Sequence, residues 1–214
     1  MKRSALLWLS HVCTVLFGIG SVWVICQQPA GQSVSWYLSF FLFCVVALAI
    51  TVQETPSPET LTRREVYRLW SIVAAVNLTA CVTAKLVTSS PLWTEKDKLN
   101  FGIYGTATLV VVVAAWLTGK KLTDPLVRGW CAFALKDIPQ GFLAWLGSHD
   151  PKVLPIILTI VVGLVTILLR LIQFGNPLQL LNWTREKQSL ALAEYFNFIS
   201  WAAVGVVWTV HYFA

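Results

Sequence analysis

The chain has 214 residues, of which 57% are hydrophobic and only 12% carry a charge, and its mean hydropathy is +0.68. A water-soluble domain carries about 25% charged residues, so this composition leaves too little polar surface to face water and excludes an ordinary soluble fold. The net charge of +6 does not read as a nucleic-acid footprint, because Lys and Arg are spread over short connectors rather than grouped in one stretch.

A helix crossing a hydrocarbon core of ~30 Å needs about 20 mostly apolar residues. Seven stretches meet or approach that length, at 5–26, 34–52, 66–87, 101–117, 125–146, 153–172 and 190–213. The first follows Lys2 and Arg3 as a secretory signal would. Its apolar run is long for one and no small-residue cleavage site follows, so it reads as a retained span. The connectors QQPAGQS, QETPSPETLTRRE, TSSPLWTEKDKLN, TGKKLTD, GSHDPK and QFGNPLQLLNWTREKQS hold most of the Pro, charged and turn-forming residues. The expected fold is therefore an all-α membrane protein of seven transmembrane helices, with the lipid bilayer as its main partner. Trp8, Trp36, Trp93, Trp145 and Trp183 lie near the ends of apolar runs, where an indole ring suits the headgroup zone. Cys13, Cys26, Cys44, Cys81 and Cys131 are odd in number and lack CxxC spacing, so they read as small packing residues and not as a disulfide framework or zinc site.

Basic residues set the expected orientation. Lys2, Arg3, Arg63, Arg64, Arg68, Lys120, Lys121, Arg128, Arg170, Arg185 and Lys187 fall on one side; Lys96, Lys98 and Lys152 fall on the other, with Lys85 near it. This bias places the N-terminus in the cytoplasm and the C-terminus outside. The sparse loops look like those of a bacterial inner-membrane protein.

Polar residues within the apolar runs are costly, at about 2.5–3.5 kcal/mol for a charge at the helix centre, so they face a cavity or a partner. Lys136 and Asp137 lie in the fifth span just before Pro139 and Gln140. Lys136 and Gln140, four apart, share a face, whereas Asp137 is rotated about 100° from Lys136. The pair reads either as a cavity-facing ion pair or proton site, or as two charges neutralised by neighbouring helices. Asn77, Cys81 and Lys85 form a stripe on the third span; Asn197, Trp201, Gly205 and Trp208 form a similar one on the seventh, with Glu194 a turn earlier. Trp23, Trp201 and Trp208 are candidates for stacking on a flat ligand. Arg170, near the end of its span, is expected to snorkel.

An internal repeat is suggested by the offset of 120 between Asn77 and Asn197, which sets Pro139 and Gln140 opposite Ile19 and Gly20. Pro139 removes a backbone donor, and Gly18 and Gly20 loosen the first span, so these are the candidate hinges. The arrangement would be two triple-helix bundles, 1–90 and 123–214, around a linker helix within 91–122.

The fifth-span motif Lys136-Asp137-Ile138-Pro139-Gln140, the short loop GSHDPK after it and Asn197 in the last span resemble the PQ-loop superfamily. That group contains SWEET sugar transporters, lysosomal cystine exporters, KDEL receptors and PnuC-type vitamin transporters. The KxxPQ arrangement is similar to that of the cystine exporters, and the inferred orientation to that of the PnuC type. Gly20 stands where a symmetric relative would repeat Pro-Gln. The resemblance implies alternating access by a small polar solute, such as a sugar, amino acid or nucleoside. It would bind in a central pocket of Asn77, Asn197, Lys136, Asp137, Gln140 and Trp201, with Pro139, Gly18 and Gly20 as hinges. The alternative is a receptor, or a subunit of a larger complex, on the same fold; a homo-oligomer is open to either. His11, His149 and His211 are scattered, with no HExxH motif or nucleophile elbow, and the seventh span has no Lys for a retinal Schiff base. No catalytic residue, cofactor or metal site is therefore expected.

Overall fold

The structure, a computed structural model, describes residues 3–174, 182 and 185–214. Most of the last connector and Trp183 lie outside them, as does Lys2, and the side chains of Arg3, Arg185 and Lys187 are not described. All the long elements are α-helical: α1 (Arg3–Gln27), α2 (Val34–Gln53), α3 (Pro58–Val87), α4 (Glu95–Leu117), α5 (Pro125–Ala132), α6 (Ile138–His149), α7 (Ile157–Phe174) and α8 (Arg185–Phe213). Between α5 and α6 a π-helical turn, Phe133–Asp137, joins the two into one 125–149 rod.

Side-chain caps mark the starts of several of these helices. Ser33 accepts from the Trp36 N–H, Ser57 from the Thr60 N–H ahead of Pro58, and Asp124 from the Leu126 N–H ahead of Pro125. Thr94 and Asp97 form a reciprocal capping box that starts α4 six residues before the expected span at 101. Likewise α3 begins at Pro58, eight residues before position 66, because polar first turns extend a helix beyond its apolar part.

Among the described residues, five helices are long and apolar enough to cross a membrane, in α1, α2, α3, α4 and α8. The other two expected spans are α7 and the 125–149 rod. Helix α7 is apolar over Ile157–Ile172, and the residues that follow Phe174 lie outside the described ones; Pro151 and Pro155 stand in the connector before it. The rod at 125–149 is long enough, but its π turn divides it. The surface has membrane-protein character, since Trp8, Ile19, Val76, Leu109, Trp116, Ile199 and Val206 are all exposed.

Helix α3 packs against both α1 and α2, and α8 packs against α7 and the 125–149 rod; α1 also lies along α7, and α4 lies against α2 and the rod. Polar contacts mark the two ends of the bundle. At one end Glu54 pairs with Arg63 at 2.8 Å and with Arg128, while Arg64 Nε caps α2 by donating to the Thr51 carbonyl at 2.7 Å. At the other, buried Asp97 accepts from Ser33 Oγ (2.7 Å), Ser35 N (3.1 Å), Ser35 Oγ (3.0 Å), Thr94 N (3.1 Å) and Thr94 Oγ1 (2.9 Å), tying α4 to the start of α2. Trp8, Trp93 and Trp145 are exposed as helix-end residues should be, but Trp36 is 7% exposed and belongs to the core.

Candidate functional site

The π turn is the starting point. Pro139 has no N–H to give the Leu135 carbonyl, and its ring crowds that carbonyl, so the ladder widens and the Ile138 N–H donates to Phe133 O instead. Helix weakness was expected at Pro139 itself; it falls one turn earlier, and it holds Lys136 and Asp137, which are 8% and 5% exposed.

Lys136 and Gln140 line one cavity, as their shared face implies, and Asp137 does not. The cavity lies between two sets of helices. Phe17 of α1, Trp36, Phe40, Phe43 and Cys44 of α2, and Tyr67 and Trp70 of α3 form one wall. Lys136, Gln140, Thr166, Arg170, Asn197 and Trp201 are among the residues of the other. It is a narrow cleft with about 490 Å³ of unfilled space, its open side included.

An ion cluster occupies one part of it. Glu194 accepts from Arg170 Nη1 at 3.2 Å and Asn197 Nδ2 at 3.1 Å, and lies 3.8 Å from Lys136 Nζ. Both cations sit over rings, Lys136 at 5.0 Å from the centre of Phe43 and Arg170 at 5.3 Å from that of Trp70. Arg170 therefore turns inward, contrary to the snorkelling expected of it, because a buried carboxylate and an indole face both lie within its reach. Ser200 Oγ donates to Gln140 Oε1 at 2.6 Å.

Aromatic rings occupy the other part. Trp36 and Trp201 stack at 6.2 Å and 16°, Trp36 and Phe40 at 6.0 Å and 15°, and Phe17 lies 5.9 Å from Trp201 and 5.5 Å from Trp70. Trp201 is fixed from behind: its Nε1–H donates to the Ile160 carbonyl at 3.0 Å, and Gly163 makes room for it. Beyond these rings lies a second cavity, bordered by Ser21, Gln32, Ser33, Tyr37 and Leu143. Phe17, Trp36 and Trp201 border both, so they form the partition between them.

The remaining expected residues fall elsewhere. Asn77 is fully buried, with neither amide atom hydrogen-bonded among the described residues, but the α3 lining ends at Trp70, seven residues before it. Asn197 lines the cavity and keeps one unpartnered atom, Oδ1. Both Asp137 carboxylate oxygens are likewise buried and unpartnered. Gly18 and Gly20 sit within unbroken α1 at close approaches: an added Cβ would lie 2.9 Å from Val73 Cγ1 or 2.7 Å from Thr159 Cγ2. Trp23 is 60% exposed, and Trp208 stacks on Tyr212 at 4.6 Å.

Sequence reasoning missed the aromatic wall of Phe17, Trp36, Phe40 and Trp70, because aromatic residues in apolar runs carry no positional signal of their own. It placed Glu194 a turn before Asn197 but missed its pairing with Arg170. Among the described residues, no group of three His, Cys, Asp or Glu side chains could hold a metal. No protein-family model, curated protein or solved structure matches the chain.

Proposed function

We propose that the chain carries a small polar solute across a membrane by alternating access, in the manner of PQ-loop and SWEET-like transporters. One observation carries this reading: a cavity with polar and aromatic lining, placed between two sets of three helices and walled by both. Binding at such an interface lets a rocking motion expose the solute to each side in turn. In this reading residues 1–90 and 123–214 form the two triple-helix bundles, and α4 is the linker within 91–122. The 125–149 rod and α7 serve as the fifth and sixth of seven spans. The Arg-rich end around Glu54 faces the cytoplasm, as does the N-terminus, by the rule that basic residues are retained inside.

Lys136, Gln140, Asn197 and Trp201 hold the solute in the observed arrangement. Phe17, Trp36 and Trp201 separate it from the second cavity, which opens when they part. The π turn before Pro139 lets the rod bend, and the contacts at Gly18 and Gly20 are where α1 slides on α3 and α7. Asn77 and Asp137, buried with unpartnered polar atoms, gain partners when the bundles rock.

The test is uptake by liposomes containing the purified protein, over a panel of sugars, amino acids and nucleosides. One solute is expected to accumulate. Asn197→Ala and Trp201→Ala should each reduce its uptake about tenfold, equivalent to loss of ~1.4 kcal/mol of binding. Uptake unchanged in both variants would refute the site. A partner that co-purifies at fixed stoichiometry, with no solute transported, would favour the receptor or subunit reading instead.

A further inference from the structure

The charges in the cavity carry a narrower statement about what fills it. Its lining contains two cations, Lys136 and Arg170, and they share one carboxylate, Glu194. The other nearby carboxylate, Asp137, does not face the cavity. Arg170 is well held, by Glu194 at 3.2 Å and by the face of Trp70. Lys136 is not. Its ammonium has three donors and, among the described residues, forms no hydrogen bond; Glu194 at 3.8 Å is beyond that distance. The Gln140 amide is four residues further on the same face. Its Oε1 is occupied by Ser200, while its Nε2 donates to nothing among the described residues.

Among the described residues, two unfilled donors on one helix face, one of them cationic, in a lining with more cations than carboxylates form a site for an anion. A carboxylate has two oxygens to offer such a pair, and a charge-assisted hydrogen bond is about twice as strong as a neutral one. The lining also includes the rings of Phe17, Trp36, Phe40, Trp70 and Trp201, beside Cys44, Thr166 and Ile167, and such a wall suits a flat apolar body. Asn197, whose Oδ1 is unpartnered among the described residues, also lines the cavity.

We infer that the solute is a small organic anion, a carboxylate on a flat unsaturated body, bound through Lys136 Nζ and Gln140 Nε2. The inference rests on the carrier reading and narrows it.

Equilibrium dialysis of the purified full-length protein in detergent tests it with three radiolabelled probes of one shape and different charge: benzoate, benzamide and benzylammonium. Benzoate is expected to bind about tenfold more tightly than benzamide, and benzylammonium more weakly than either. Lys136→Gln should abolish the preference for benzoate while benzamide binding persists, which also shows that the variant is folded. Lys136→Arg should restore the preference, and Glu194→Gln should strengthen it by freeing both cations. Equal binding of benzoate and benzamide, tighter binding of benzylammonium, or a preference that survives Lys136→Gln would overturn the anion assignment and leave the carrier reading standing. Failure of all three probes to bind would likewise overturn the anion assignment, and the uptake panel then tests the carrier reading by itself.

Discussion

Gly163 of α7 lies against the indole of Trp201, and a methyl placed there would meet Nε1 at 2.2 Å, Cε2 at 2.9 Å and Cδ1 at 3.0 Å. These are rigid ring atoms, so Gly163→Ala forces Trp201 to move. The displacement breaks its 3.0 Å bond to the Ile160 carbonyl, and leaving a buried donor unpaired costs about 1–3 kcal/mol. Overpacking adds about 1–3 kcal/mol, and the better helix propensity of Ala returns up to ~1 kcal/mol. The net loss is therefore about 1–5 kcal/mol. Trp201→Ala removes the obstacle. In that background Gly163→Ala should stabilise the protein, by about 0.5–1 kcal/mol through propensity alone. The assay is denaturant unfolding in detergent of all four members of the cycle. The reversal of sign, rather than its size, is the diagnostic result. A Gly163→Ala effect that is the same in both backgrounds would show that Trp201 does not occupy the place described.

Asp97→Asn should destabilise the protein by about 2–3 kcal/mol in the same assay, because an amide nitrogen cannot accept the Thr94 donors that now reach the second carboxylate oxygen. Ser89 closes α3 at φ 53, in the left-handed region, with the Ser90 N–H donating to Lys85 O at 2.8 Å. Ser89→Gly is therefore expected to stabilise by about 0.5–1 kcal/mol, and Gly119→Ser, at the matching end of α4 with φ 65, to destabilise by a similar amount. Thermal unfolding of each variant would check both. Pro139→Ala returns a donor to the Leu135 carbonyl, so the π turn should anneal into a continuous α-helix. Hydrogen exchange should then slow across 133–139, whereas an unchanged pattern would mean that Pro139 is not what holds the turn open.

Much of the frame was legible because its signals are local. Apolar runs and the polar connectors between them located the helices, and Pro139 announced an irregular rod. The face-sharing of Lys136 and Gln140 followed from a spacing of four and survives the π turn. Polar atoms that break the apolar rule did point inward: Asn77, Lys136, Asp137 and Asn197 are all buried. Which of them meet in one cavity was less legible, since that depends on how helices distant in sequence are rotated against each other. Asn77 and Asn197 match in sequence offset, yet only Asn197 faces the cleft. Arg170 misled because a cation near a helix end has two ways to be satisfied, by the headgroup zone or by an inward acid. The choice rests on Glu194, 24 residues away. Trp36 misled in the same way: proximity to a helix end suggested the headgroup zone, whereas its partners Phe40 and Trp201 hold it in the core.

The central claim is that the cleft between the two sets of helices is reached from both sides of the membrane. Ile167 lines it and is 6% exposed. With the five native cysteines replaced, Ile167→Cys in membrane vesicles of defined orientation can be offered a membrane-impermeant thiol reagent from either face. The account predicts labelling from both faces, because the cleft opens to each in turn. Labelling from one face alone, or from neither, would contradict it.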